Sequence, residues 1–224
     1  MIKKFAWSFC LLAIALCISL PAMADDTTLY SNLGTGNDVY NCCSGWTVSG
    51  SGTIGTSFTQ ANEFTAMASG SISQIDIGIG YVTGVNSFYA ALFTVGSNGD
   101  PGTQLWREDN LTASQNFGGC CGLVSITGIS GVSLTAGQSY FLVLGPESIT
   151  DTSWLAWNFS NSATGLDLYS NDGGHTWNSN GTQPQGAFDI IGSAGGSTPE
   201  PSSLILLGTG LLGAFGTMRR KMMK

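Results

Sequence analysis

The stretch Ser73-Gln-Ile75-Asp-Ile77-Gly-Ile79-Gly-Tyr81 alternates apolar with small or polar residues throughout. Period two over nine residues puts Ile75, Ile77, Ile79 and Tyr81 on one side and Asp76, Gly78 and Gly80 on the other. That is a half-buried strand. The residues around it exclude a helical protein, because Gly, Ser, Thr and Asn crowd the centre of the chain and all are poor helix formers. Other strand signals follow. Residues 88–95 read as a strand, closed by the turn Asn98-Gly-Asp-Pro-Gly102. The turn Leu134-Thr-Ala-Gly-Gln138 leads into Tyr140-Phe-Leu-Val-Leu144, an unbroken apolar run suited to a strand covered on both faces. Trp154-Leu-Ala-Trp-Asn-Phe159 places Leu155, Trp157 and Phe159 together, and residues 186–191 close the series. Short strands with a turn every ten or so residues predict an all-β, antiparallel, jelly-roll-like β-sandwich. No internal repeat is visible.

Both ends differ from this centre. Lys3 and Lys4 precede an apolar segment, 5–20, which Pro21-Ala-Met-Ala24 and Asp25-Asp26 follow. A basic start, an apolar middle and an A-x-A site make a signal peptide, expected to be helical and cut after Ala24. Cys17 does not make it a lipoprotein, because Leu16 stands where a small residue is needed. At the other end Pro199-Glu200-Pro201 leads into the uncharged run 204–218 and then Arg219-Arg-Lys-Met-Met-Lys224. Pro199 disfavours helix in the residue before it, and Pro201 with Ser202 and Ser203 opens one. The run would span roughly 22 Å as a helix, short of a ~30 Å hydrocarbon core, with its basic end held cytoplasmic. The expected organisation is a signal peptide over 1–24, one exported β domain over 25–195, and a linker, transmembrane helix and basic tail over 196–224. About 170 residues suffice for one core.

The tail resembles the PEP-CTERM sorting signal of exported bacterial proteins. The resemblance rests on Pro199, Glu200 and Pro201, on the Leu/Gly run with Gly208, Gly210 and Gly213, and on the basic end. It implies processing by an exosortase, an integral-membrane enzyme. The protein would be tethered to the inner membrane until processed, then placed on the cell surface or in the extracellular matrix. The middle is similar to the choice-of-anchor domains, type R, through Thr28-Leu-Tyr-Ser-Asn-Leu-Gly34, Gly45-Trp-Thr-Val-Ser-Gly50, Leu134-Thr-Ala-Gly-Gln-Ser-Tyr140, Tyr169-Ser-Asn-Asp-Gly-Gly174 and Trp177. That resemblance implies an exported β-rich domain and assigns no activity.

All fourteen acidic residues fall between Asp25 and Glu200, where Arg107 is the single Lys or Arg, leaving −13 there against −7 for the whole chain. Such a surface repels phosphate backbones and excludes nucleic-acid binding. Catalytic patterns are absent too. The lone histidine, His175, sits in Asp172-Gly-Gly-His-Thr-Trp177, no Gly-x-Ser-x-Gly elbow accompanies it, and no P-loop, Rossmann or HExxH pattern occurs. Acid pairs such as Glu108 with Asp151 can be drawn for glycoside hydrolysis, but nothing singles one out. No cofactor or metal is expected. Asn98-Gly-Asp100 and Asn171-Asp172 offer calcium-type oxygens without a full binding loop.

Four cysteines remain beyond the signal segment, in two adjacent pairs: Cys42-Cys43 and Cys120-Cys121. Neighbouring cysteines stand about 3.8 Å apart at Cα, below the usual disulfide range, so two bridges between the pairs are expected. Zinc ligands normally stand two to four residues apart, which argues against a thiolate metal site. Trp177 lies in a polar, Gly-rich turn and Trp46 follows the first cysteine pair; these two are the candidates for stacking on sugars, and the competing reading is packing within the sheets. The sequence therefore predicts a non-enzymatic surface or matrix protein linked to exopolysaccharide and biofilm. The alternative is a carbohydrate-binding module or weak glycan-acting enzyme.

Overall fold

The computed structural model describes residues 26–36 and 38–194. They form β1 (Asp26–Ser31), β2 (Asn41–Ser49), the one-turn α1 (Ser51–Ile54), β3 (Thr59–Thr65), β4 (Gly70–Ile77), β5 (Ile79–Thr83), β6 (Phe88–Val95) and β7 (Pro101–Leu111). After these come β8 (Val124–Thr127), β9 (Ser133–Leu134), β10 (Ser139–Gly145), β11 (Trp154–Ser170), β12 (Asn178–Gly186) and β13 (Phe188–Ala194).

These strands make two antiparallel sheets. Sheet 1 has five strands in the order β1-β13-β4-β8, with β9 also paired to β4. Sheet 2 has eight, in the order β12-β11-β3-β10-β6-β7, with β2 and β5 both paired to β11. The chain crosses repeatedly between sheets, so sequence neighbours seldom pair. The long β11 changes partners along its length: Trp154 to Phe159 pair with β2, while Asp167 to Ser170 pair with β3.

One core draws on both sheets. Leu29, Ile75, Ile77, Phe188 and Ile190 from sheet 1 meet Phe64, Phe88, Leu92, Leu142, Leu144, Leu155 and Trp157 from sheet 2. Each large apolar side chain buried this way stabilises the fold by roughly 1.5–3 kcal/mol. A second cluster, with Ala61, Tyr89, Ala91, Phe141, Val143 and Leu168, is partly covered by Trp177. β10 therefore supplies both clusters, and Tyr140 to Leu144 are all buried, as their unbroken apolar run requires. Arg107 lies 3.6 Å over the Tyr89 ring and bonds Asp109 at 2.7 Å.

The strand expected over 73–81 is two strands in two sheets. Ile75, Ile77 and Ile79 all face the core, but β4 ends at Ile77 and β5 pairs with β11 instead. Gly78 makes the crossing: its N–H donates to the Ala187 carbonyl at 2.9 Å, and its own carbonyl accepts from Asn158 N–H at 2.8 Å. A Cβ at this point would stand 2.9 Å from the Tyr40 ring, so glycine permits the close approach. The alternation continues through the switch, so sequence alone does not reveal it.

The helices expected for the signal peptide and for the apolar run before Arg219 lie outside the described residues. Among the described residues, no helix is long and apolar enough to cross a membrane.

Candidate functional site

The densest group of chemically distinctive side chains is where the start of β2 meets the loop between β7 and β8. A disulfide joins Cys42 to Cys120 across 78 residues of sequence, with Cα atoms 5.5 Å apart. That separation lies within the ordinary disulfide range. Hydrogen bonds fasten the same junction. Tyr40 donates its hydroxyl to the Gly122 carbonyl at 2.7 Å, and Gly118 N–H donates to the Cys42 carbonyl at 3.0 Å. Gln115 is the hub of the loop, donating to the Tyr40 oxygen and the Gly119 carbonyl at 2.5 and 2.8 Å and accepting from Gly122 N–H at 3.0 Å. Burial, then the nearby Cys121, push the Tyr40 hydroxyl up to about 12, with Gln115 opposing them, so it stays protonated and able to donate.

The structure draws one bridge between the cysteine pairs where two were expected. Cys121 Sγ lies 3.9 Å from Cys42 Sγ, and Cys43 is an exposed thiol. Consecutive residues of a strand face opposite sides. With Cys42 turned to the loop, Cys43 is turned from it. The sulfurs of Cys42, Cys120 and Cys121 lie within 4.8 Å of one another. Two of them are joined in the disulfide, which removes the thiolate charge a zinc site needs.

Trp46 and Trp177 both have packing partners. Trp46 meets Phe159 edge-on at 5.1 Å and donates its indole N–H to the Pro184 carbonyl at 2.9 Å. Trp177 packs on the second apolar cluster. Both are half-buried, and each already rests on protein.

The turn acids are similarly engaged. Asp172 accepts from Ser170 Oγ and Thr176 Oγ1, both at 2.7 Å, and from Thr176 N–H at 2.9 Å; these donors, Ser170 first, hold its carboxyl well below the usual range. His175 is exposed beside it. Asp100 accepts from Asn98 at 2.6 Å, and Asp151 accepts from Ser153 N–H at 2.9 Å and its hydroxyl at 2.5 Å. The carboxylates offered for calcium at Asp100 and Asp172 therefore organise their own turns.

Sequence reading passed over Asp167, although an acid between two leucines in a strand signals something unusual. It is 0 % exposed. Asn62 and Asn180 each donate an amide N–H to one of its oxygens at 2.6 Å. Burial outweighs these bonds and pushes its carboxyl up to about 6. Near its neighbours an open cleft of about 460 Å³ is lined by Tyr30, Asn32, Glu63, Phe64, Thr65 and Gln185, among others.

Pro199, Glu200 and Pro201 lie outside the described residues. Residues 197–221 match the family described as the PEP-CTERM protein-sorting motif. No curated protein matches the chain. A chain of the T13 IBDV viral particle is similar at 13% identity with a TM-score of 0.29, over 87% of this chain and 51% of that one. The protein thus spans about half the length of that viral chain, and so loose a likeness carries no argument. Fold and tail define a class: an all-β protein bearing an exosortase sorting motif. The motif marks an exported protein whose precursor is membrane-anchored, with exosortase as its processing partner.

Proposed function

We propose that the protein is a non-enzymatic surface or extracellular-matrix component, released or displayed with exopolysaccharide in a biofilm after exosortase processing. The observation that carries this is the sorting motif at 197–221, which fixes an exported destination. The β domain supports it. Asp172 and Asp151 are engaged in turns, and Asp167 is sealed from solvent. The strand orders β1-β13-β4-β8 and β3-β10-β6-β7, with the β11–β12 hairpin added, support a jelly-roll-like sandwich; its reading as a choice-of-anchor domain rests on the sequence motifs alone.

The cleft beside Tyr30 and Glu63 favours a second reading, carbohydrate binding. Apolar Tyr30 and Phe64 stand among Asn32, Thr65 and Gln185, a mixture that suits a sugar ring and its hydroxyls. A glycan array, with release of reducing ends from polysaccharides including the producer's own, separates the readings. The expected result is no turnover. Sustained turnover lost in Glu63→Gln would replace the non-enzymatic reading with a glycan-acting one.

A further inference from the structure

The cleft at Glu63 lies where two strands part. β11 pairs with β3 from Ser170 opposite Thr59 to Asp167 opposite Asn62, and there the ladder stops. Beyond that point residues 63–65 of β3 and 162–166 of β11 become the two walls of the cleft. Gln185 of β12 stands between them. Its side-chain amide donates to the Glu63 carbonyl, and its side-chain oxygen accepts from the Tyr30 hydroxyl at 2.8 Å. A Cβ on Gly165 would press on that amide, so glycine lets Gln185 into the gap. The volume, about 460 Å³, has room for a short stretch of a chain ligand.

Ala61 and Leu168 belong to the apolar cluster on the face of sheet 2 turned from the main core. By the strand period, Glu63 and Thr65 on one wall and Thr164 and Leu166 on the other present their side chains on that face. Leu166 is half-buried, while Thr65 and Thr164 are exposed. The mouth therefore offers an apolar patch, two hydroxyls and one carboxylate. Glu63 is the one charged residue lining the cleft. It is half-buried, and no described residue gives its carboxylate a hydrogen bond or an ion pair. Arg107, the one Lys or Arg among the described residues, is stacked on Tyr89 and bonded to Asp109.

Resting on the carbohydrate-binding reading of this cleft, we propose that its ligand is a sugar unit bearing a free amine, as in a polysaccharide of de-N-acetylated amino sugars. The apolar face of the ring lies on Leu166, its hydroxyls meet Thr65 and Thr164, and its ammonium pairs with Glu63. A carboxylate that has lost part of its water gains most from a ligand that brings a positive charge, because a charge-assisted hydrogen bond is roughly twice as strong as a neutral one. The net −13 between Asp25 and Glu200 selects in the same direction, since it repels chains of uronic acids or sugar phosphates. Acetylating the amine removes its charge. An N-acetylated chain thus keeps the ring and hydroxyl contacts and loses the ion pair.

The experiment is calorimetric titration of the full-length protein in detergent with the trimers of glucosamine, N-acetylglucosamine and glucose. A pH of about 6 keeps the amine charged, and ~0.15 M salt screens the overall field. The wild type is expected to bind the glucosamine trimer about five- to tenfold more tightly than either of the others. Glu63→Gln should bring all three to one affinity, while Glu108→Gln, an exposed acid on the edge strand β7, should leave the preference intact. Equal affinities in the wild type would overturn the proposal and leave the carbohydrate-binding reading standing. So would a preference that survives Glu63→Gln, or one that Glu108→Gln removes as fully, which would assign it to the charge of the whole surface. No binding of any trimer would overturn both together. If Glu63→Gln does not fold, Thr164→Tyr at the exposed mouth decides: the proposal requires weaker binding of the glucosamine trimer, and unchanged affinity would place the sugar elsewhere.

Discussion

Replacing Trp157 with alanine is expected to lower the unfolding free energy by about 3–5 kcal/mol, the usual cost of truncating a large core aromatic. Trp157 is 0 % exposed and lies in the core that draws on both sheets. Its ring lies 5.9 Å from that of Phe188, and its indole N–H donates to the Ala187 carbonyl at 3.2 Å. Truncation removes the largest fully buried side chain and one hydrogen bond. The loss is a large part of the roughly 5–15 kcal/mol that keeps a typical domain folded. Far-UV circular dichroism in urea should show a lower midpoint with an unchanged slope. Gly186 supplies a matched test from the other side. A Cβ there would meet the Trp157 ring at 2.2–2.4 Å, so Gly186→Ala should move the midpoint in the same direction by overpacking. A midpoint in Trp157→Ala within 0.5 kcal/mol of wild type (roughly the scatter of neutral surface changes) would mean the sandwich is not packed around this residue.

Loss of the Cys42–Cys120 bridge should be almost as costly. It closes a loop of 78 residues, which the chain-entropy account values at about 4 kcal/mol. The bonds from Tyr40 and Gln115 to the loop around Gly122 remain, so the double serine variant should stay folded with a strongly lowered urea midpoint. Reduction of the wild type should reproduce that drop. Peptide mapping without reductant checks connectivity: a cross-linked peptide pair is expected, with Cys43 alkylated. Two separate peptides, each closed on itself, would contradict the staple.

Much of the fold was legible because it is written in apolar spacing. β6 covers the 88–95 segment read as a strand, and β10 is buried on both faces as its unbroken run requires. The illegible parts follow backbone rather than side chains. β7 lies at the edge of sheet 2 with mostly exposed residues, and β12 reads Asn-Ser-Asn-Gly-Thr-Gln-Pro-Gln-Gly. Their pairing rests on main-chain hydrogen bonds, which leave no period in hydrophobicity. The sheet change at Gly78 was hidden for a related reason, since the pleat keeps its phase while the partner changes. Candidate sites were less legible still. Trp46 and Trp177 stand in polar sequence, yet each rests on aromatic or aliphatic neighbours from distant strands.

The central claim is that this β domain is delivered by exosortase-dependent sorting, and the mass of the protein recovered from its producer tests it most directly. Intact-mass measurement on the surface or extracellular fraction should give a chain that begins near Asp25 and lacks the segment from about Leu204 onward. Its Cys42–Cys120 bridge should show as two hydrogens fewer than the reduced form. Deleting the exosortase should leave the longer, membrane-held chain. A surface or extracellular species that still carries Arg219 to Lys224 would contradict the account.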